Sequence, residues 1–139
     1  MSKPSTQDLR EQVRAPVLIA GDAGYDEARA VHNGMFDKHP EAVVLAQQVA
    51  DVIGGVNFAR DAGLELAVKG GGHSAPGFGT TEGGVLIDLG QMRDVHVDPA
   101  SQIARVGGGA TWGDFNYATH AYGLATTGGI VSPASSIPR

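Results

Sequence analysis

Three consecutive glycines followed by a histidine are the part of this sequence best suited to chemistry. The stretch "AVKGGGHSAPGFGTTEGG" runs from residue 67 to 84, and Gly70, Gly71 and Gly72 precede His73. Consecutive glycines can turn successive backbone N–H groups to one side with no side chain in the way, which forms an anion-binding concavity. A pyrophosphate suits such a concavity. His73 emerges at its rim, where the imidazole can meet whatever the phosphates carry.

Two well-known phosphate-binding motifs do not account for this stretch. The spacing of Gly70 and Gly72 after an apolar run is that of a dinucleotide fingerprint, but the fingerprint requires a helix from its second glycine. Pro76 disfavours a helix there. A P-loop requires Lys and Ser or Thr where Phe78 and Gly79 stand. Local features leave two interpretations open: an anion-binding loop with a reactive histidine, or a glycine-rich surface turn with an exposed one.

The composition predicts one globular domain and excludes several kinds of partner. The chain has 139 residues, 42% of them hydrophobic and 18% charged, with 21 glycines and no cysteine. Disulfides and thiolate chemistry are therefore excluded. A net charge of -5 without any basic run argues against nucleic acids and anionic membranes. No apolar run suits a signal peptide or a membrane span, so we expect a cytoplasmic protein.

The first third of the chain contains two expected helices. One covers the segment from Ser5 to Val13, with Ser5 or Thr6 as its cap. The other lies in "GYDEARAVHNGMF", opens at the acidic pair Asp26 and Glu27, and is expected to end near residues 33–34.

A strand, a helix and a second strand are expected next. "EAVVLA" has strand length. The apolar face of the following helix is predicted from the spacing of Val49, Val52, Ile53, Val56 and Ala59 or Arg60. That helix stops at Gly63, and "LELAV" leads to the glycine cluster. The pattern is β-α-β.

From residue 85 the elements become shorter. "VLIDL", "VHVD" and "QIARVG" read as strands. "TWGDFNYATHAYG" reads as a helix with Thr111 as N-cap, Asp114 completing a capping box and Gly123 as C-cap. We expect an α+β fold, with a β-α-β lobe to about residue 83 and the start of a second β-rich lobe.

Three ordered motifs resemble a known family. "LELAVKGGGHSAPGFGTTEGGVLIDLGQMRDVHVDP", "ARVGGGATWGDF" and "GLATTGGIVS" are similar to the FAD-linked oxidases of the p-cresol methylhydroxylase and vanillyl-alcohol oxidase superfamily, whose FAD-binding domain is called PCMH-type. The branch most resembled is that of the bacterial relatives of berberine bridge enzyme. The resemblance covers about residues 24 to 132. It implies residues 1–36 as an N-terminal extension and helix, and 37–139 as an incomplete FAD-binding domain.

The resemblance also implies roles for individual residues. His73 would be joined through a ring nitrogen to the 8α-methyl carbon of the flavin, since a neutral imidazole is a competent nucleophile. Lys69 stands where the family more often has Arg, which keeps a positive charge but loses the bidentate fork. The implied FAD-binding residues are Lys69, Gly70, Gly71, Gly72, His73, Ser74, Gly77, Gly109, Thr127, Gly128, Gly129, Ile130, Val131 and Ser132.

Family enzymes take a hydride from a C–H donor such as an alcohol or sugar, commonly with oxygen as acceptor. Their catalytic base and substrate pocket lie in a later domain, and no base is identified in this chain. The resemblance therefore implies the N-terminal portion of a flavin-dependent oxidoreductase. Two alternatives stay open: an inactive truncated fragment or noncovalent flavin-binding module that needs a partner chain, and a noncovalent flavin reductase.

The remaining polar residues favour structural roles. Asp94, His96 and Asp98 alternate along one strand and are a conceivable metal cluster, but a solvated strand face with the valines inward is the better interpretation. Trp112 reads as a core anchor beside the second glycine triplet. The remaining histidines show no ligand spacing and read as ordinary surface or helix residues; they are His32, His39 and His120.

Overall fold

The computed structural model describes residues 4–129, which form four helices and six strands in two sheets. The helices are α1 (Thr6–Gln12), α2 (Tyr25–Arg29), α3 (Val49–Ala62) and α4 (Trp112–His120). The strands are β1 (Val17–Leu18), β2 (Ala42–Leu45), β3 (Leu66–Lys69), β4 (Val85–Asp88), β5 (Val95–Asp98) and β6 (Ile103–Val106). The expected α+β class is confirmed.

The first sheet has the strand order β1-β2-β4-β3. β4 is parallel to both β2 and β3, and β1 pairs antiparallel with β2. Val85, Leu86 and Ile87 in β4 are completely buried, as in a central strand covered on both faces. Since β4 belongs to this first sheet, the change from one sheet to the other falls after Asp88 rather than near residue 83.

The second sheet is the antiparallel pair β5-β6. In β5, Val95 and Val97 are half-buried whereas His96 and Asp98 are exposed, which confirms the predicted solvated face. Among residues 4–129, no group of three or more His, Asp or Glu side chains is arranged to hold a metal ion.

Helix α3 forms where it was predicted, but its buried face is different. Val49 and Ile53 are 65% and 55% exposed, while Gly54, Gly55 and Phe58 face the core. A Cβ on Gly55 would lie 2.9 Å from Cδ1 of Ile87, so the glycines let the helix approach the sheet closely. Val52 and Ala59 of the predicted face pack against the core, whereas Val49 and Ile53 do not. Close backbone packing at the glycines, rather than side-chain volume, decides which side of α3 is buried.

Helix α2 is shorter than predicted. It ends at Arg29, and Ala30 already has extended dihedral angles (φ -65°, ψ 143°). The next residues bond to the glycine loop instead, because the backbone N–H of His32 donates to the carbonyl of Gly72 at 2.9 Å. A distant hydrogen bond therefore outweighs helical propensity in this segment.

The N-terminal residues are part of the fold. The buried carboxylate of Asp51, in the first turn of α3, accepts four backbone N–H bonds, two of them from Arg14 and Ala15 and two from Gln47 and Gln48. Burial acts to raise the pKa of Asp51, but these hydrogen bonds outweigh it and hold the pKa below its ordinary value. This carboxylate joins the segment after α1 to the start of α3.

The helix ends confirm most of the predicted caps. Ser5 and Thr111 each cap a helix and form a capping box, with Asp8 and Asp114 respectively. Gly63 ends α3 in the left-handed region. Helix α4 ends earlier than expected, with Ala121 as its C-cap.

None of the helices within residues 4–129 has both the length and the apolarity needed to cross a membrane.

Candidate functional site

The glycine loop leaves the carboxyl end of β3, beside the ends of the parallel strands β2 and β4. Open α/β sheets bind ligands at this edge because the loops there leave a crevice. The groove at this position has a volume of about 420 Å³. It is lined by Val68, Lys69, Gly70, Gly71, Gly72, His73, Ser74, Phe78, Gly79 and Gly108.

The loop presents a row of available hydrogen-bond donors. Among residues 4–129, no acceptor is bonded to the backbone N–H groups from Gly70 through Ser74. Backbone N–H groups that no protein acceptor satisfies are suited to bind an anion such as a pyrophosphate. The loop, within the part of the chain described here, is therefore suited to a ligand that carries phosphate.

Two glycines of the loop cannot be replaced without disturbing this shape. A Cβ on Gly70 would lie 2.6 Å from the carbonyl oxygen of Gly108, so the backbones of the two glycine clusters touch. Gly72 has φ +71°, a left-handed conformation that side chains other than glycine's rarely adopt. A side chain at either position would therefore displace or strain the loop that lines the groove.

Lys69 uses its charge within the protein. Its buried ammonium group lies 3.0 Å from Oδ2 of Asp88 and donates to the carbonyls of Ala28 and Ala30, the latter at 3.2 Å. The resemblance implies Lys69 as an FAD-binding residue, whereas in the structure the partners of its charge are an acid and two carbonyls of the fold. Lys69 therefore connects β3, β4 and the end of α2 beneath the loop.

Ser74 and Gly77 close the loop with a turn. The Ser74 hydroxyl accepts the N–H of Phe78 at 3.1 Å, and its carbonyl accepts the N–H of Gly77 at 3.1 Å. Gly77 has φ +78°, and a Cβ there would run into the ring of Phe36. These contacts keep the loop non-helical, as Pro76 predicted. They also use the Ser74 hydroxyl oxygen as an acceptor.

His73 projects into solvent beside a second histidine. The ring centroids of His32 and His73 are 5.2 Å apart, with an angle of 48° between the ring planes. Both side chains are exposed. Sequence reasoning treated His32 as an ordinary surface or helix residue, since 40 other residues separate it from His73 and no local spacing relates the two.

The second glycine triplet lies against the turn after β4. A Cβ on Gly109 would be 1.9 Å from the carbonyl oxygen of Leu89, and the Gly109 N–H donates to Met92 at 3.0 Å. The neighbouring Gly108 lines the groove, although it was not among the FAD-binding residues implied by the resemblance. Phe78, 77% exposed, is a further lining residue that the sequence did not single out.

The third glycine pair packs on Trp112. Cβ atoms on Gly128 and Gly129 would both collide with the indole ring, which is buried as predicted. The residues just before this pair, 123–126, border a second groove of about 580 Å³ between the β5-β6 hairpin and α4. Thr127, between these residues and the pair, is exposed. Ile130, Val131 and Ser132 lie outside the described residues, so their predicted contact with flavin stays a prediction.

The loop of unsatisfied donors at the edge of a parallel sheet defines a nucleotide-binding domain of mixed α+β class. A family model described as "FAD binding domain" matches residues 40–137. The chain belongs to this family, and the expected kinship with PCMH-type oxidases is confirmed.

Relatives support the same family. The (R)-6-hydroxynicotine oxidase of Paenarthrobacter nicotinovorans is 33% identical over 118 residues, which cover 85% of this chain and 26% of the relative. The glucooligosaccharide oxidase of Sarocladium strictum is 34% identical over 92 residues, covering 65% of this chain and 18% of the relative. This chain thus spans about a quarter or less of the length of these proteins.

Solved structures share the fold. The 6-hydroxy-D-nicotine oxidase of Arthrobacter nicotinovorans superposes with a TM-score of 0.82 at 32% identity, covering 88% of this chain and 27% of that one. The carbohydrate oxidase of Microdochium nivale gives a TM-score of 0.79 at 29% identity, covering 89% and 27%.

Proposed function

We propose that this chain forms the FAD-binding part of a flavin-dependent oxidoreductase and that His73 carries the FAD covalently. One observation carries the proposal: the backbone donors from Gly70 through Ser74 have no acceptor among residues 4–129 and line a groove with an imidazole at its rim. Membership of the FAD-binding family supports FAD as the ligand of this groove.

Each part of the loop then has a distinct task. The backbone N–H groups of Gly70, Gly71 and Gly72 hold the pyrophosphate, and Gly77 preserves the turn that keeps them aligned. His73 supplies a ring nitrogen to the flavin. Lys69 keeps β3 and β4 in register below the loop. Bound FAD would supply a hydride acceptor for a C–H donor such as an alcohol or sugar, with dioxygen regenerating the oxidised cofactor.

The relatives support an oxidase acting on small molecules. Their names include a nicotine derivative and carbohydrates as substrates, which are chemically unlike each other. Substrates so different do not indicate one substrate class for this chain. We therefore propose the reaction type, a hydride-transfer oxidation, and leave the substrate unspecified.

A second candidate is a noncovalent flavin-binding module that functions with additional polypeptide. The match of this chain to about a quarter of each relative favours it as a description of this polypeptide by itself. The groove would bind the same pyrophosphate, and His73 would contact the flavin without a bond.

The two candidates are separated by the mass of the His73 peptide. The folded protein is incubated with FAD, denatured, digested and measured by mass spectrometry. A mass increase equal to FAD that disappears in His73→Ala supports covalent attachment, whereas flavin uptake without an adduct supports the noncovalent module. If the folded protein takes up no FAD, both candidates fail. His39→Ala is the matched control because His39 is an exposed histidine that does not line the groove.

A further inference from the structure

The pair His32 and His73 has the geometry of two ligands to one metal ion. Its ring centroids are 5.2 Å apart. A tetrahedral Zn²⁺ with Zn–N bonds of about 2.0–2.1 Å holds the centroids of two imidazole ligands roughly 5 Å apart. The angle of 48° between the planes shows that the rings are not stacked face to face. Because both side chains are exposed, they can rotate to direct one nitrogen of each ring to a common point.

The backbone holds the two histidines in this arrangement. The N–H of His32 donates to the carbonyl of Gly72, directly before His73, at 2.9 Å. The side chain of Asn33 donates to the carbonyl of Ala75 at 3.0 Å, on the other side of His73. These two hydrogen bonds hold together the two backbone segments that carry His32 and His73. Ligands held in place lose little entropy on binding, so a preorganised pair binds a metal more tightly than separate histidines.

The rings are also chemically available. Both histidines are exposed, and neither imidazole forms a hydrogen bond with another residue in the range 4–129. Imidazole is a preferred ligand for zinc, copper and nickel. The sequence contains no cysteine that would compete for such ions, and its net charge of -5 attracts cations.

We propose that His32 and His73 form a chelating site for a divalent transition metal ion such as Zn²⁺. Because residues 4–129 offer no group of three ligating side chains, water completes the coordination, and binding is reversible. The site has a consequence that rests on the proposed attachment of FAD to His73. A neutral imidazole has one free lone pair, so zinc bound to His73 occupies the electron pair that would attack the flavin. Zinc and FAD attachment are therefore antagonists.

Zinc binding is measured first, without flavin. The protein, free of any histidine tag, is titrated with zinc chloride while calorimetry and the NMR resonances of the imidazole rings are followed. We expect one Zn²⁺ per chain, with the rings of His32 and His73 shifting together. His32→Ala and His73→Ala should each weaken binding by about tenfold or more. His39→Ala and His120→Ala are the matched controls and should bind zinc as the unaltered protein does.

His32→Phe keeps a ring at the same position but has no ligand atom, which separates loss of ligation from loss of packing. The proposed site would be overturned if His32→Phe bound zinc as tightly as the unaltered protein. It would also be overturned if neither imidazole ring shifted during the titration.

Antagonism is measured second, by the rate at which the His73 peptide gains the mass of FAD. Zinc should slow this rate in the unaltered protein, a chelator should restore it, and His32→Phe should be insensitive to zinc. An unchanged rate in saturating zinc contradicts the antagonism. If no adduct forms without zinc, the proposed covalent attachment fails, while the zinc titration still decides whether the metal site exists.

Discussion

The ammonium group of Lys69 lies 3.0 Å from the carboxylate of Asp88, and the two residues are directly paired in the register of β3 and β4. The pair is largely buried, with side-chain exposures of 9% and 17%. It stands at the carboxyl end of the parallel strands, immediately below the glycine loop. The position of that loop therefore depends on an ion pair inside the sheet.

Replacing Lys69 should cost more stability than replacing an ordinary lysine. Lys69→Met leaves the Asp88 carboxylate and two carbonyls without their donor, and removing one partner of a buried pair costs about 3 kcal/mol. The free energy of unfolding in urea measures this loss. Lys38→Met is the control, because Lys38 lies over the Phe36 ring and has no such pair among residues 4–129. Equal losses in the two variants would show that the buried pair does not stabilise the sheet.

Adding a methyl group to Gly70 should weaken FAD binding. The new Cβ would lie 2.6 Å from the Gly108 carbonyl, so the loop must move away from the second glycine triplet. We expect Gly70→Ala to weaken FAD binding by about tenfold, or about 1.4 kcal/mol, as measured by flavin fluorescence titration. Gly34→Ala serves as the comparison, since a Cβ there would have no atom within 4 Å apart from those of its chain neighbours. Unchanged affinity in Gly70→Ala would argue that FAD binds elsewhere.

The carboxylate of Asp51 should make stability depend on pH. Its pKa is held below the ordinary value in the folded state, so its contribution is present above the pKa of the unfolded chain, about 3.9. That contribution is lost as the pH falls through the folded pKa. Asp51→Ala should cost about 3 kcal/mol at neutral pH, and the difference from the unaltered protein should shrink in acid.

Urea unfolding at several pH values tests this. Asp61→Asn is the control, because Asp61 is exposed and its ion pair is with the neighbouring Arg60. A difference between Asp51→Ala and the unaltered protein that stays constant into strong acid would contradict the prediction.

The capping box of α4 should be visible in the fluorescence of Trp112, the one tryptophan in the sequence. Hydrogen bonds from Arg93, and then from Thr111, hold the pKa of Asp114 far below its ordinary value. The cap is therefore fully formed above pH of about 4, the region of the unfolded pKa, and is lost as the pH falls towards the folded pKa.

Thr111→Ala removes an acceptor and should destabilise the helix start by about 1 kcal/mol. The resulting exposure of Trp112 should shift its emission to longer wavelength at a milder acidity than in the unaltered protein. Asn116→Ala, at an exposed position of the same helix outside the cap, should not. Identical acid profiles for both variants would exclude a role of the cap in ordering Trp112.

Local sequence rules predicted much of the framework. Ser5 and Thr111 act as caps because their hydroxyls accept N–H groups three residues on, which needs no distant partner. The strand before Lys69 and the non-helical loop after it follow from apolar runs, glycine and proline. The glycine cluster and its histidine also identified the family, since their order and spacing are properties of the chain itself.

Tertiary structure decided which of these residues meet. Helix α2 ends early, and the ammonium group of Lys69 bonds to Asp88, Ala28 and Ala30. Both follow from hydrogen bonds between residues distant in sequence, which local propensity does not predict. The buried side of α3 was set by how closely Gly55 approaches Ile87. His32 lies beside His73 because the folded backbone crosses there, and hydrogen bonds to the carbonyls of Gly72 and Ala75 hold the crossing. Periodicity records local geometry only, whereas these relationships arise from packing in three dimensions.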